Sequence, residues 1–203
     1  MYFAGDGNFR IGGVEAKSRQ KSIGMSIQKI AIIGPESTGK STLCGQLADY
    51  FNTSWVPEYA RTFLHQHGSA YNYDDLLSIA KGQVALEEKA LSSVSPGSRV
   101  FIDTEMYVMK VWSEFVFDKC HSWILNKAAG STYDMYFLCN IDLPWVKDEL
   151  REYPEEAPRK ELYNIYKNIL LNQSTPWVEI NGSYEERVLQ AIKAVEKIRM
   201  SNQ

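Results

Sequence analysis

Residues Gly34-Pro35-Glu36-Ser37-Thr38-Gly39-Lys40-Ser41 have the types and spacing needed to hold a polyphosphate. Glycines let the backbone curl so that successive N–H groups converge on an anion. A helix starting at the end of such a loop aims its positive end at the same point. Lys40 is then expected to reach the terminal phosphates, and the Ser41 hydroxyl to ligate Mg²⁺. Gly34, Glu36, Ser37, Thr38, Gly39 and Thr42 are expected to surround the bound phosphates.

Three further groups of residues carry charge suited to phosphoryl chemistry. Glu58 and Arg61, in Pro57-Glu58-Tyr59-Ala60-Arg61, place a carboxylate at a strand tip and a guanidinium one turn later. An acid in the first turn of a helix explains Glu58 equally well. Asp103 ends the apolar run Arg99-Val100-Phe101-Ile102 and suits a magnesium shell beside a phosphate loop. Asp103 or Thr104 could instead cap a helix. The stretch from Asp142 to Arg159 is dense in charge and punctuated by Pro154 and Pro158. It reads as a mobile lid in which Arg151 and Arg159 neutralise charge on the transferring phosphoryl. A solvated run of local ion pairs is the plainer alternative. Asn181-Gly182-Ser183 could hold a nucleotide base or simply start a helix.

The elements that must position these groups follow from hydrophobic patterning. Lys29–Ile33 reads as a buried strand before the phosphate loop, and Ser41–Phe51 as the helix after it. Strands are expected at 54–57, 100–103, 135–139 and 177–180. Helices are expected at 74–91, 104–116 and 122–129. A last helix opens with the capping-box pattern Ser183-x-x-Glu186. Alternating strand and helix predicts an α/β fold with a five-stranded parallel sheet covered by helices on both faces, and right-handed crossovers prune its topologies.

Composition bounds the rest. At 203 residues the chain fits one domain, and 44% hydrophobic residues suffice for a core. A formal charge of −3 argues against a nucleic-acid partner bound through bulk charge. No apolar run approaches the ~20 residues of a membrane helix. The odd trio Cys44, Cys120 and Cys139 suits a reducing, cytoplasmic setting. His65-x-His67 has no cysteine or third histidine near it to complete a metal site. Residues 1–24 lack a periodic apolar face and are expected to be a poorly ordered leader, with the kinase domain spanning 25–203.

The motifs together resemble a family. Gly34 to Thr42, Glu58-Tyr59-Ala60-Arg61, Ile79-Ala80-Lys81-Gly82-Gln83, Phe101 to Glu105, Lys110-Val111-Trp112, Tyr133-Asp134 and Leu138 to Trp145 are similar to the ribosylnicotinamide kinase domain of NadR-type proteins. The resemblance implies a fold of the P-loop nucleoside or nucleotide kinase kind with sheet order 2-3-1-4-5, and transfer of phosphate from ATP, with Mg²⁺, to nicotinamide riboside, giving nicotinamide mononucleotide. It makes Glu58 the candidate acceptor of the ribose 5′-hydroxyl proton. A flat cationic ring would suit an aromatic wall, for which Tyr59, Tyr107, Trp112 and Trp145 are available. Each could equally be a core residue. Fuller members carry an adenylyltransferase and sometimes a DNA-binding domain ahead of the kinase, and neither is expected here. Two other readings stay open: a kinase for another nucleoside or nucleotide, and a nucleotide-sensing ATPase acting through a partner.

Overall fold

In the computed structural model, which describes residues 26–201, the elements run β1 (Gln28–Ile33), α1 (Lys40–Phe51), β2 (Ser54–Val56), α2 (Tyr59–His67), α3 (Tyr73–Ser93) and β3 (Arg99–Asp103). They continue with α4 (Met106–Phe117), α5 (Ser122–Gly130), β4 (Met135–Cys139), α6 (Glu156–Leu171), β5 (Trp177–Ile180) and α7 (Tyr184–Ser201). The expectation for residues 1–24 lies outside the described residues. All strand pairs are parallel, as the alternation of elements predicts, and the order is β2-β3-β1-β4-β5, as the family resemblance implies.

β1 is central because both its faces are apolar. Side chains alternate across a strand. Ile30 and Ile32 pack with Leu43, Cys44 and Leu47 of α1 and with Ala191 and Val195 of α7. Ala31 and Ile33 pack on the other face with Val108 and Val111 of α4 and Leu162 and Tyr166 of α6. A third cluster joins α2, α3, α4 and α5 through Phe63, Leu64, Leu76, Ile79, Met109 and Ile124. Burying a sheet on both faces leaves its carboxyl edge as the open crevice, where α/β proteins place ligands.

Two helices depart from the expected pattern. α2 is a full helix following Glu58. α6 begins at Glu156, inside the stretch read as a lid to Arg159. Pro158 signals a loop in the sequence, yet it sits in the first turn of α6, where an N–H has no intrahelical acceptor and its loss is tolerated. The irregular segment between β4 and α6 therefore ends at Glu155. The last helix starts as expected. Glu186 N–H donates to Ser183 Oγ at 3.3 Å, and Ser183 N–H donates to Glu186 Oε2 at 2.8 Å.

Candidate active site

The phosphate loop connects β1 to α1 and turns on three left-handed residues, Gly34 (φ 140°), Ser37 (φ 57°) and Gly39 (φ 76°). A Cβ on Gly34 would stand 2.7 Å from the Cys139 carbonyl oxygen, so only glycine fits there beside β4. Thr38 Oγ1 donates to the Pro35 carbonyl at 2.7 Å, and Lys40 Nζ donates to the same oxygen at 2.8 Å. The loop thus closes on itself, with the lysine ammonium folded over it.

Behind the loop stands Asp103, fully buried at the end of β3 and in register with Ile32. Ser41 Oγ donates to Asp103 Oδ2 at 2.5 Å, while Asp103 Oδ1 has no hydrogen-bond partner among the described residues. Burial, reinforced by the facing Glu58 carboxylate, pushes the Asp103 carboxyl up to about 6. Asp103 is not the helix cap. Glu105 caps α4 by accepting the Tyr107 N–H at 2.9 Å, and Thr104 takes a left-handed φ of 72° between them. That turn is rare for a β-branched residue and leaves Asp103 free to face Ser41.

Gln83 fixes the two strand tips relative to each other. It is buried on α3, accepts the Tyr59 N–H at 2.7 Å, and donates to the carbonyls of Pro57 and Asp103, each at 3.3 Å. One amide thereby ties the residues on either side of Glu58 to the backbone of Asp103. On the far side, buried Arg187 of α7 donates to Gly182 O (2.8 Å), Thr38 O (3.2 Å) and Asn140 O (3.1 Å), and pairs with Asp142. It straps the phosphate loop to the ends of β4 and β5.

The segment after β4 folds over the loop and is held by it. Glu36 accepts hydrogen bonds from Trp145 Nε1 (3.1 Å), Glu152 N–H (2.9 Å) and Tyr153 N–H (2.8 Å). Ser37 Oγ accepts from Val146 N–H at 3.0 Å and from Arg151 Nη1 at 3.2 Å. From α2, Arg61 Nη2 donates to Asp148 Oδ2 at 3.1 Å, and His65 faces Glu149 at 3.2 Å.

Beneath this cover lies a cavity of about 240 Å³. Its lining joins the phosphate loop, Lys40, Ser41, Glu58, Arg61 and Arg151 to the apolar and aromatic side chains of Leu64, Val108, Trp112, Phe115, Tyr153, Leu162 and Tyr166, which form its aromatic chamber. The other expected residues lie outside its lining. Asp103 stands directly behind Ser41. Tyr59 packs over Gly82, where a Cβ would meet its ring at 2.0 Å. Tyr107 stacks on Tyr136 at 5.7 Å. Trp145 bonds to Glu36. Arg159 is buried in the first turn of α6, its Nε 3.4 Å from the Glu155 carbonyl oxygen.

A family model described as an AAA domain matches residues 29–187. The chain belongs to this AAA-domain family. It is 28% identical over 177 residues to the trifunctional NAD biosynthesis/regulator protein NadR of Escherichia coli (strain K12), and 27% identical to NadR of Salmonella typhimurium (strain LT2). Both matches cover 85% of this chain and 43% of the relative, so the AAA-domain chain spans less than half the length of the curated relatives it matches. Among solved structures, a NadR protein in complex with NR superposes with a TM-score of 0.72 at 23% identity, covering 86% of this chain and 50% of that one. Thymidylate kinase from Ehrlichia chaffeensis superposes at 0.59 with 13% identity, covering 84% of this chain and 99% of that one. The AAA-domain chain therefore has the fold of the P-loop kinases.

Sequence reasoning did not single out Gln83, Arg187, Phe115, Tyr153 or Tyr166 of this site. Gln83 lay within a quoted motif, but an amide on a helix carries no sign of burial. Arg187 sits in a charged helix in which Glu185, Glu186, Lys193, Glu196 and Lys197 are exposed. Among the described residues no group of three or more His, Cys, Asp or Glu could hold a metal, and no helix is long and apolar enough to cross a membrane.

Proposed function

We propose that the chain is a small-molecule kinase that transfers the γ-phosphoryl of ATP to the 5′-hydroxyl of nicotinamide riboside. The observation that carries this reading is the single cavity joining a phosphate loop to an aromatic chamber, with Glu58 in its lining. The sequence similarity to NadR, described as an NAD biosynthesis protein, supports the acceptor.

Lys40 leaves the Pro35 carbonyl to meet the β- and γ-phosphates, while the loop amides and the start of α1 hold the chain of phosphates. Ser41 and Asp103 fit a magnesium ion. Both offer hard oxygen donors, and Asp103 keeps one buried oxygen without a partner. The ion would supply charge neutralisation on the phosphates. Phosphoryl transfer otherwise depends on positioning and electrostatics. The chamber seats the flat ring so that the ribose hydroxyl points towards the loop. The hydroxyl oxygen bonds to the γ-phosphorus as the bond to the bridging oxygen breaks, ADP leaves, and Glu58 takes the hydroxyl proton. Arg151, already at the loop through Ser37, and Arg61 stabilise charge that develops on the transferred group. Arg159, buried at the start of α6 and outside the cavity lining, contributes positive charge at longer range.

The test is direct. Purified chain with ATP, Mg²⁺ and nicotinamide riboside should yield the mononucleotide and ADP in equal amounts, with adenosine, thymidine and nucleoside monophosphates poor acceptors. A nucleoside monophosphate as best acceptor, or ATP turnover indifferent to any acceptor, would overturn the assignment.

A further inference from the structure

The aromatic chamber of the cavity carries a carboxylate that the proposed transfer does not use. Glu152 lies on the lid and lines the cavity together with Trp112, Phe115 and Tyr153. Tyr71 OH donates to Glu152 Oε2 at 3.0 Å, and Trp112 Nε1 donates to Tyr71 OH at 2.8 Å. The Tyr71 and Trp112 rings meet edge to face with centroids 4.9 Å apart. The carboxylate is thus fixed two hydrogen bonds away from the indole of the chamber wall.

Its charge is not spent on a cation of the site. Tyr71 is a neutral donor. Arg61 is turned to Asp148, and Arg151 to Ser37 and the Val146 carbonyl. A second carboxylate, Glu36, stands behind and accepts the Glu152 N–H at 2.9 Å. Glu152 is exposed as a residue, yet partial desolvation of its carboxyl, opposed by the Tyr71 hydroxyl and helped by the nearby Glu36 charge, raises that carboxyl above its usual range. A positive ligand beside it would relieve that strain. Aromatic faces with an acid among them are the surroundings that recognise organic cations, because the ring quadrupole and the carboxylate attract the same charge.

We propose that Glu152, held by Tyr71 and Trp112, is the specificity-determining residue of the acceptor chamber, and that it selects a ring carrying positive charge over a neutral ring of the same shape. The inference rests on reading the cavity as a riboside acceptor site. Nicotinamide riboside and its dihydro form are the matching probes: adding hydride removes the ring's charge together with its aromaticity, keeps the ribose, the carboxamide and nearly the same size, and the comparison of variant with wild type isolates the part due to Glu152. Glu152→Gln keeps an acceptor for Tyr71 and removes the carboxylate charge. Wild type should favour the cationic riboside in kcat/KM. Glu152→Gln should shrink that preference by about tenfold, through a raised KM for the cation with kcat and the KM for ATP unchanged. Tyr71→Phe, which frees the carboxylate from its mooring, should give an intermediate loss. If wild type phosphorylates neither riboside, the proposed function fails and this inference with it. If wild type prefers the cation and Glu152→Gln keeps that preference intact, the function stands and the role of Glu152 is overturned.

Discussion

Glu36 in the phosphate loop accepts the backbone N–H of Tyr153 at 2.8 Å, across 117 positions of sequence. The same carboxylate takes the Glu152 N–H and the Trp145 indole, so an acid within an anion-binding loop is turned away from the anion and onto the cover of the site. Tyr153 is also a wall of the aromatic chamber. One side chain therefore links the phosphate loop to the aromatic wall.

Removing that link should loosen the lid. Glu36→Ala leaves the Glu152 and Tyr153 amides without their acceptor. Their hydrogen exchange should quicken by about tenfold, equivalent to ~1.4 kcal/mol of opening. Exchange at β1 should be unaffected. Equal protection of residues 147–155 in variant and wild type would show that Arg61, Ser37 and packing hold the lid without Glu36.

Lys40→Ala should abolish phosphoryl transfer and leave the fold standing. The hydrogen bond that Lys40 Nζ gives is to the Pro35 carbonyl within the same loop, and the side chain lines the cavity and belongs to no core cluster, so little packing is lost. Thermal unfolding should stay within a degree or two of wild type, and turnover comparable to wild type would refute the loop's role.

Glu58→Gln and Asp103→Asn should have different signatures. Loss of a general base lowers kcat by about 10²–10⁴-fold. Glu58→Gln should show that fall at unchanged magnesium requirement. Asp103→Asn should raise the magnesium concentration needed for half-maximal rate. A metal shift in Glu58→Gln alone would mean that the two roles are exchanged.

Glu105 makes stability depend on pH. Burial pushes its carboxyl up to about 8 from an ordinary 4.5, and its Oε2 has no partner. Between those values the folded chain binds more protons at this site than the unfolded one. Stability from this group is therefore greatest at acid pH and falls as pH rises through the window. Asp103, raised to about 6, adds a smaller slope of the same sign. Glu105→Gln keeps an acceptor for the Tyr107 N–H and cannot ionise. It should flatten the decline and stabilise the protein at pH 8 by on the order of 2–4 kcal/mol, with little effect near pH 4. Parallel stability–pH curves for variant and wild type would rule out a buried titrating carboxyl at Glu105.

Fold and phosphate loop were legible in the sequence because both are written locally. Ile30 to Ile33 show an unbroken apolar run, the loop's glycines and Lys40 lie within a few residues of one another, and Ser183 and Glu186 cap a helix three positions apart. Strand–helix alternation made the sheet parallel, whereas its order came with the family resemblance, because right-handed crossovers prune topologies without selecting one. The start of α6 was not legible, since Pro158 reads as a loop residue whether it breaks a helix or begins one.

The cavity walls were decided by tertiary structure alone. Trp112, Tyr107 and Tyr59 have the same composition signal on similar helices. Packing sends Trp112 into the chamber, Tyr107 onto Tyr136, and Tyr59 onto Gly82. Gln83, Arg187 and Glu36 act through hydrogen bonds to backbone atoms of segments distant in sequence. Such bonds depend on where a carbonyl or N–H arrives in space. Residue type and periodicity fix the side chain's donors and acceptors but not the backbone groups that will come to meet them.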